Sequence, residues 1–282
     1  MVRKRWTIEE VGRVLRLSGV ALSHVGLVRT GNEDSGFIGP TCMLVADGVG
    51  GAAAGEVASA TAAYVVSAMA MAAPENDPFE LLRSGVHLAQ EQVALGVVRD
   101  SSRAGMATTL SAVATDGERF ALAHLGDSRG FLYRGVQLRR ITHDHTVVQR
   151  LVDQGSLAEE DVPYHPWRSV VTRTVNGEVA EQGDLEELHL DPGDRVLLAS
   201  DGLTDLVPDH EIEQILGRHD DDAAAQALLE AALAAGGRDN VTCVLATVIE
   251  GPPVAAEGRL VGAVCDPRNV VDAAAVRVRH SA

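Results

Sequence analysis

The chain has 282 residues, a formal net charge of −16, 46% apolar residues and 23% charged ones. That length is enough for one large domain whose core needs no disulfide or structural zinc. The acidity disfavours nucleic acid and anionic lipid surfaces. Aromatics reach only 3%, so the core must rest on Ala, Val, Leu and Ile, and Lys4 is the only lysine. Cationic contacts therefore fall to arginine, the better fork for a phosphate.

In chain order, residues 1–19 read as an N-terminal extension, partly helical over 8–17. The start is basic but lacks the continuous apolar stretch of a signal peptide, and no run reaches the roughly 18 apolar residues of a membrane helix. A cytoplasmic location without membrane attachment is expected. A strand is expected over 42–46, then helices over 56–71 and 79–98. Strands over 110–114, 120–125 and 130–133 follow, then a helix over 146–153. Strands over 185–190 and 195–200, helices over 209–216 and 222–235, and a strand over 241–248 complete the body. The helix over 56–71 is apolar nearly all round, as a well-covered helix is. Residues 20–249 make one domain, and 250–282, opening on Gly251-Pro252-Pro253, read as a tail. Strands in adjacent groups with helices in blocks favour an α+β fold of antiparallel sheets layered with helices.

The cysteines, Cys42, Cys243 and Cys265, are widely spaced and odd in number, with no CxxC pair. They point to neither a disulfide framework nor a zinc site. Cys42 and Cys243 sit in apolar runs as small core residues.

Aspartates stand where strands end. Leu44-Val45-Ala46-Asp47-Gly48 and Leu197-Leu198-Ala199-Ser200-Asp201-Gly202 each deliver a carboxylate on an apolar strand and then turn on a glycine. Asp239-Asn240 precedes the strand at Val241, Glu33-Asp34 adds two carboxylates, and Asp127 lies between two strands. Taken singly, each Asp-Gly is a turn signal. Together, carboxylates meeting at one sheet edge would suit a hard divalent cation, which takes oxygen ligands from rigid supports.

The wording around these aspartates resembles the metal-dependent type 2C protein phosphatases in their bacterial form. The matching segments run in family order: 26–35 (Gly-Leu-Val-Arg-Thr-Gly-Asn-Glu-Asp-Ser), 45–51 with 55–59, 107–110, 124–129, 141–145, 170–173, 199–205 and 239–242. The resemblance implies a four-layer αββα sandwich, two antiparallel sheets flanked by helices. It also implies hydrolysis of phosphoserine and phosphothreonine in proteins by a water bridged between two divalent cations. In that frame Asp47, Asp201 and Asp239 hold a pair of Mn²⁺ or Mg²⁺ ions with the Gly48 carbonyl, and Glu33 and Asp34 act directly or through water. Asp127 with Asp201 supports a third, weaker ion, making two or three per chain. Arg29 clamps the substrate phosphate, and residues 166–177 form a variable flap. The implied partners are phosphorylated proteins, among them serine/threonine kinases and their substrates, and the expected state is a monomer. No Cys-x5-Arg loop, Gly-x-Ser-x-Gly elbow or P-loop offers another chemistry.

Two other readings stand beside this one. A non-catalytic phosphoprotein-binding module on the same fold would have lost metal carboxylates, and none is missing. A small-molecule phosphoester hydrolase shares the same chemistry. Val49 stands where eukaryotic members carry a histidine, which leaves the leaving-group acid unassigned, and Ala52 stands where bacterial members often have histidine. Ala107 replaces the usual glycine before Thr108-Thr109. Thr142 or Asp144 is expected to cap the helix at 146, with His145 structural. His124 reads as a packed strand residue, and Arg173 as either a flap contact to substrate or an ion pair.

Overall fold

Alternation along the strands sets the layers, because successive side chains of a strand point to opposite faces. The computed structural model describes residues 14–49, 54–251 and 258–276. In chain order β1 (Val14–His24), β2 (Asp34–Ile38) and β3 (Cys42–Val49) precede two long helices, α1 (Gly55–Ala72) and α2 (Pro78–Arg99). Next come the short β4 (Ala107–Thr108), then β5 (Leu110–Thr115), β6 (Phe120–Leu125), β7 (Arg129–Arg134) and β8 (Gln137–Arg140). After α3 (Val147–Asp153) the chain returns through β9 (Asp184–Leu188) and β10 (Arg195–Ala199). The helices α4 (Asp201–Thr204), α5 (Asp209–Arg218) and α6 (Asp221–Ala234) lead to β11 (Val241–Gly251) and β12 (Arg259–Gly262).

One sheet has the order β1-β11-β10-β7-β8, the other β12-β2-β3-β5-β6-β9 with β4 beside β3. Every pairing is antiparallel. On β3, Cys42, Leu44 and Ala46 face α1 and α2, whereas Met43 and Val45 face the other sheet. On β11, Val244, Ala246 and Val248 fill the space between the sheets, and Val241, Cys243 and Leu245 face α5 and α6. The result is the expected αββα sandwich with three apolar layers. The small residues of α1, such as Ala58, Ala62 and Ala70, are fully buried and let that helix lie close on the sheet. Asp77 starts α2 by accepting from the Phe79 and Glu80 amides ahead of Pro78.

Two expectations are corrected. Residues 14–17 are strand, not helix: β1 pairs with β11 residue for residue from Val14↔Gly251 to His24↔Val241. Leu15, Leu17 and Ala21 face the sheets' interior while Val20 and Leu22 face the α6 side, a period of two that a short apolar run does not distinguish from a helix turn. Residues 8–13 lie outside the described residues. The second correction is to the tail, where Arg259–Gly262 is an edge strand paired with β2.

Antiparallel pairing puts the ends of several strands at one edge. The start of β2 meets the end of β3, with Asp34 opposite Asp47. The end of β10 lies between the start of β7 and that of β11, with Ala199 opposite both Arg129 and Cys243.

Candidate metal centre

At that edge Asp34 is fully buried. The Ser200 hydroxyl donates to its Oδ2 at 2.7 Å, and its Oδ1 has no hydrogen-bond partner. Burial pushes Asp34 up to about 6. Asp47 is pushed well above the usual carboxylate range by burial and then by the charges of Asp34, Asp201, Asp127 and Asp239. Asp201, the first residue of α4, is raised by burial and then by Asp127, Asp205, Asp239 and Asp34. Burial, with Asp144 and Asp205, pushes Asp127 up to about 6. Glu33 is raised by burial and by Glu56. The sequence-predicted carboxylates Asp34, Asp47, Asp127 and Asp201 are thus raised chiefly by burial, and the charge of Asp239 acts on Asp34, Asp47 and Asp201.

Among the described residues no three His, Cys, Asp or Glu side chains close tightly around one point. Asp127, Asp201 and Asp239 border a cleft of about 620 Å³. The orphaned Asp34 Oδ1 and the mutual repulsion at Asp47 and Asp201 are what a dication would relieve.

Backbone packing explains the glycines. A Cβ on Gly48 would lie 2.5 Å from the Gly55 carbonyl carbon and oxygen and 2.8 Å from the Glu33 carbonyl oxygen. One on Gly202 would lie 1.9 Å from the Asn240 carbonyl oxygen. The turns carrying Asp47 and Asp201 can close on their neighbours only without side chains. Asp47 is pinned through its main chain: its N–H donates to Thr109 Oγ1 at 2.9 Å and its carbonyl accepts from the Thr108 hydroxyl at 2.8 Å. Thr109 in turn contacts Ser128 Oγ at 2.7 Å, which ties the Asp47 turn to the Asp127 turn. Arg29 reaches in from an exposed loop, its Nη2 donating to Asp239 Oδ2 at 2.7 Å.

The family described as protein phosphatase 2C matches residues 32–246. The chain belongs to the protein phosphatase 2C family. It is 41% identical over 236 residues to the serine/threonine protein phosphatase PstP of Mycobacterium tuberculosis, covering 84% of this chain and 46% of that protein. It thus spans about half the length of that relative. To the serine/threonine phosphatase Stp of Listeria welshimeri it is 32% identical over 232 residues, covering 78% of this chain and 91% of the relative. A solved structure of the catalytic domain of PstP in complex with two manganese ions superposes with a TM-score of 0.76 at 39% identity, covering 83% of this chain and 99% of that one.

In this protein phosphatase 2C domain Arg168 and Ser169, within the 166–177 segment expected as a flap, line one side of the cleft beside Val162 and Pro163. The far half of that segment is held by Gln90, a fully buried residue of α2. The Gln90 amide donates to the carbonyls of Thr174 (3.1 Å) and Glu181 (3.3 Å), and its oxygen accepts from the amides of Asn176 (2.9 Å) and Gly177 (2.8 Å). A single glutamine inside an amphipathic helix gave no sign of this in the sequence. Nor did Ser200, Thr109 and Asn240 announce their supporting bonds, although all three stand within the matched motifs.

The residues around 145 correct one expectation. The cap of α3 is Thr146, whose hydroxyl accepts from the Gln149 amide at 3.1 Å. Thr142 instead accepts from the Gly130 amide, and Asp144 is held in ion pairs with Arg129 and Arg140. His145 is buried: its Nδ1 accepts from the Gly126 amide at 3.2 Å, and its Nε2 lies 3.0 Å from Asp184 Oδ2 and 2.9 Å from Arg173 Nη1. Arg173 resolves to the ion-pair reading, bridging Asp184 (2.6 Å) and Glu181 (2.9 Å). His124 is a packed strand residue, 2% exposed. Val49 ends β3, and Gly50, Gly51 and Ala52 lie outside the described residues. Cys42 and Cys243 are buried free thiols and Cys265 is exposed.

Proposed function

We propose that this chain hydrolyses phosphoserine and phosphothreonine in proteins, in a reaction that depends on Mn²⁺ or Mg²⁺. The observation that carries the reading is the gathering of Asp34, Asp47, Asp127, Asp201 and Asp239 at one edge of the sandwich, where burial raises the first four and the charge of Asp239 acts on Asp34, Asp47 and Asp201. Asp47, Asp201 and Asp239, with the Gly48 carbonyl, are the proposed holders of two cations. Glu33 and Asp34 bind directly or through water, and Asp127 with Asp201 supports a third. When bound, such cations acidify the attacking water and neutralise charge developing on the phosphate oxygens.

The chain's own residues do the rest. Arg29 stands at the mouth of the site, half exposed, and its planar fork can exchange Asp239 for two phosphate oxygens. Ser200, Thr108 and Thr109 hold the carboxylate-bearing turns still, so little reorganisation accompanies the reaction. The cleft of about 620 Å³, lined by Asp127, Asp201 and Asp239, is where the phosphorylated segment of the substrate protein would enter. Val49 has no proton to give, so another group must protonate the departing oxygen.

Retention of every carboxylate argues against a non-catalytic module. The proposed partners are phosphorylated proteins, serine/threonine kinases and their substrates among them, met as a monomer. No helix among the described residues is long and apolar enough to cross a membrane. The unpaired thiols of Cys42, Cys243 and Cys265 fit a reducing compartment, and the cytoplasm is the proposed location.

The test is a metal-titrated assay on phosphoserine, phosphothreonine and phosphotyrosine peptides. Turnover of the first two is expected only with Mn²⁺ or Mg²⁺ supplied, with Asp201→Asn slower by orders of magnitude. Undiminished turnover in excess chelator would overturn the reading.

A further inference from the structure

Residues 258–276 follow β11 and lie beyond the 32–246 span matched to the family. They nonetheless sit directly behind the metal centre. β12 pairs along β2, with Val261 opposite Gly36 and Gly262 opposite Ser35. Gly262 has φ +81°, and a Cβ there would lie 2.2 Å from the Asp34 carbonyl oxygen. The two backbones are therefore in contact at the residue that carries the buried carboxylate.

A directed hydrogen-bond relay runs from this segment to Glu33. Ser59 Oγ donates to the Glu33 carbonyl at 2.5 Å and stands 3.1 Å from Ser35 Oγ. A hydroxyl has one proton, so Ser35 must donate to Ser59. That leaves Ser35 to accept from the Val264 N–H, at 3.1 Å. The order is Val264 N–H to Ser35 to Ser59 to Glu33, every member satisfied. Apolar burial fastens the segment in place, with Val261 between the sheets and Ala263 and Val264 in the core beneath α1 and α2.

We propose that residues 258–276 are a brace that positions Glu33 and Asp34 for the divalent cation, which rests on the metal-dependent reading above. Without β12, β2 becomes a sheet edge with unpaired backbone groups, and the strand that presents Asp34 loosens. Without the relay, Ser59 loses the bond it accepts from Ser35 and keeps a less firmly oriented hold on the Glu33 carbonyl, whose other anchor is the Gly48 N–H at 3.2 Å. Supporting contacts behind metal ligands typically set affinity by roughly 10–100-fold.

Two proteins test this, a chain ending at Gly251 and full-length Ser35→Ala. Each is compared with wild type by hydrogen exchange of the metal-free protein and by calorimetric titration with Mn²⁺. The chain ending at Gly251 is expected to exchange faster over residues 34–38 and to bind Mn²⁺ on the order of tenfold more weakly or worse. Ser35→Ala is expected to weaken Mn²⁺ binding several-fold with its circular dichroism unchanged. Wild-type exchange over 34–38 or wild-type Mn²⁺ affinity in a folded variant would overturn the brace. Should the shortened chain not fold, Ser35→Ala decides alone. A wild-type protein that binds no Mn²⁺ would sink the metal reading itself, while exchange over 34–38 would still decide whether the brace exists.

Discussion

Asn240 Oδ1 accepts a hydrogen bond from the Glu33 backbone N–H at 2.8 Å, joining the turn before β11 to the turn before β2. The same side chain donates to the carbonyls of Val25 and Gly31, both at 2.9 Å. Asn240 is 5% exposed, while Val25 and Glu33 are half-buried and Gly31 is exposed. Asn240→Ala removes all three bonds and leaves half-buried backbone groups to water, costing about 1–3 kcal/mol. Urea unfolding of the metal-free protein is the measurement. A midpoint within error of wild type would show that the two turns do not depend on this side chain.

His124 gives a pH prediction. Its Nε2 lies 3.1 Å from the His143 carbonyl, which can only accept, so Nε2 carries the proton and Nδ1 accepts from Ser111 Oγ at 2.9 Å. Burial pushes the ring from its ordinary 6.5 down to about 4. The unfolded chain then binds more protons between these values, so the stability from a neutral ring is complete above pH 6.5 and is lost as pH falls towards 4, by about 3 kcal/mol. Asp34 and Asp127, raised to about 6, work in the opposite sense, contributing stability at low pH that is lost as pH rises through 6. The two effects separate in a comparison with His124→Gln. Wild type should lose about 3 kcal/mol relative to the variant between pH 7 and pH 4. Parallel stability curves would contradict the neutral, buried assignment.

The strands that carry Asp47 and Asp201 were legible because each is a short apolar run closed by Asp-Gly, and their edges fall within a few residues of the expected ones. β6 lies where its apolar run placed it, from Phe120 to Leu125. β1 was not legible, because Val14 to Leu17 is as good a helix turn as a strand until β11 supplies a partner. β12 has four residues and a glycine, too short for any period to show. Gln90 was silent for a different reason: a buried polar side chain is explained only by the loop it satisfies, and that loop is some 84–91 residues away in sequence. Local pattern reports what a residue does for its own element. It does not report service to a distant one.

Gln90 uses its full bonding capacity on residues 174–181, so Gln90→Leu keeps the volume and removes four hydrogen bonds. Two carbonyls and two amides of the flap base are then left without partners beneath α2, a destabilisation of about 2–4 kcal/mol even if water reaches some of them. The loosening should be local. Amide exchange over 174–181 is expected to rise more than over β5 and β6, and kcat/KM for phosphopeptides to fall several-fold while a small aryl phosphate is affected less. Equal losses on both substrates would mean that the flap base does not shape the peptide side of the cleft.

Arg29 separates binding from stability. Its ion pair with Asp239 is short, 2.7 Å, but both side chains are well exposed, at 49% and 38%. Such a pair contributes little to folding, so Arg29→Ala should move the unfolding free energy by less than about 0.5 kcal/mol. If the guanidinium clamps phosphate, the same change removes a charge-assisted contact made already in the bound substrate, and KM should rise on the order of tenfold or more with a smaller change in kcat. Arg29→Lys restores the charge without the planar fork, so it should recover only part of the loss. Full recovery by lysine would reduce the contribution of Arg29 to point charge, and an unchanged KM in Arg29→Ala would remove Arg29 from substrate binding altogether, leaving the Asp239 contact as its only role.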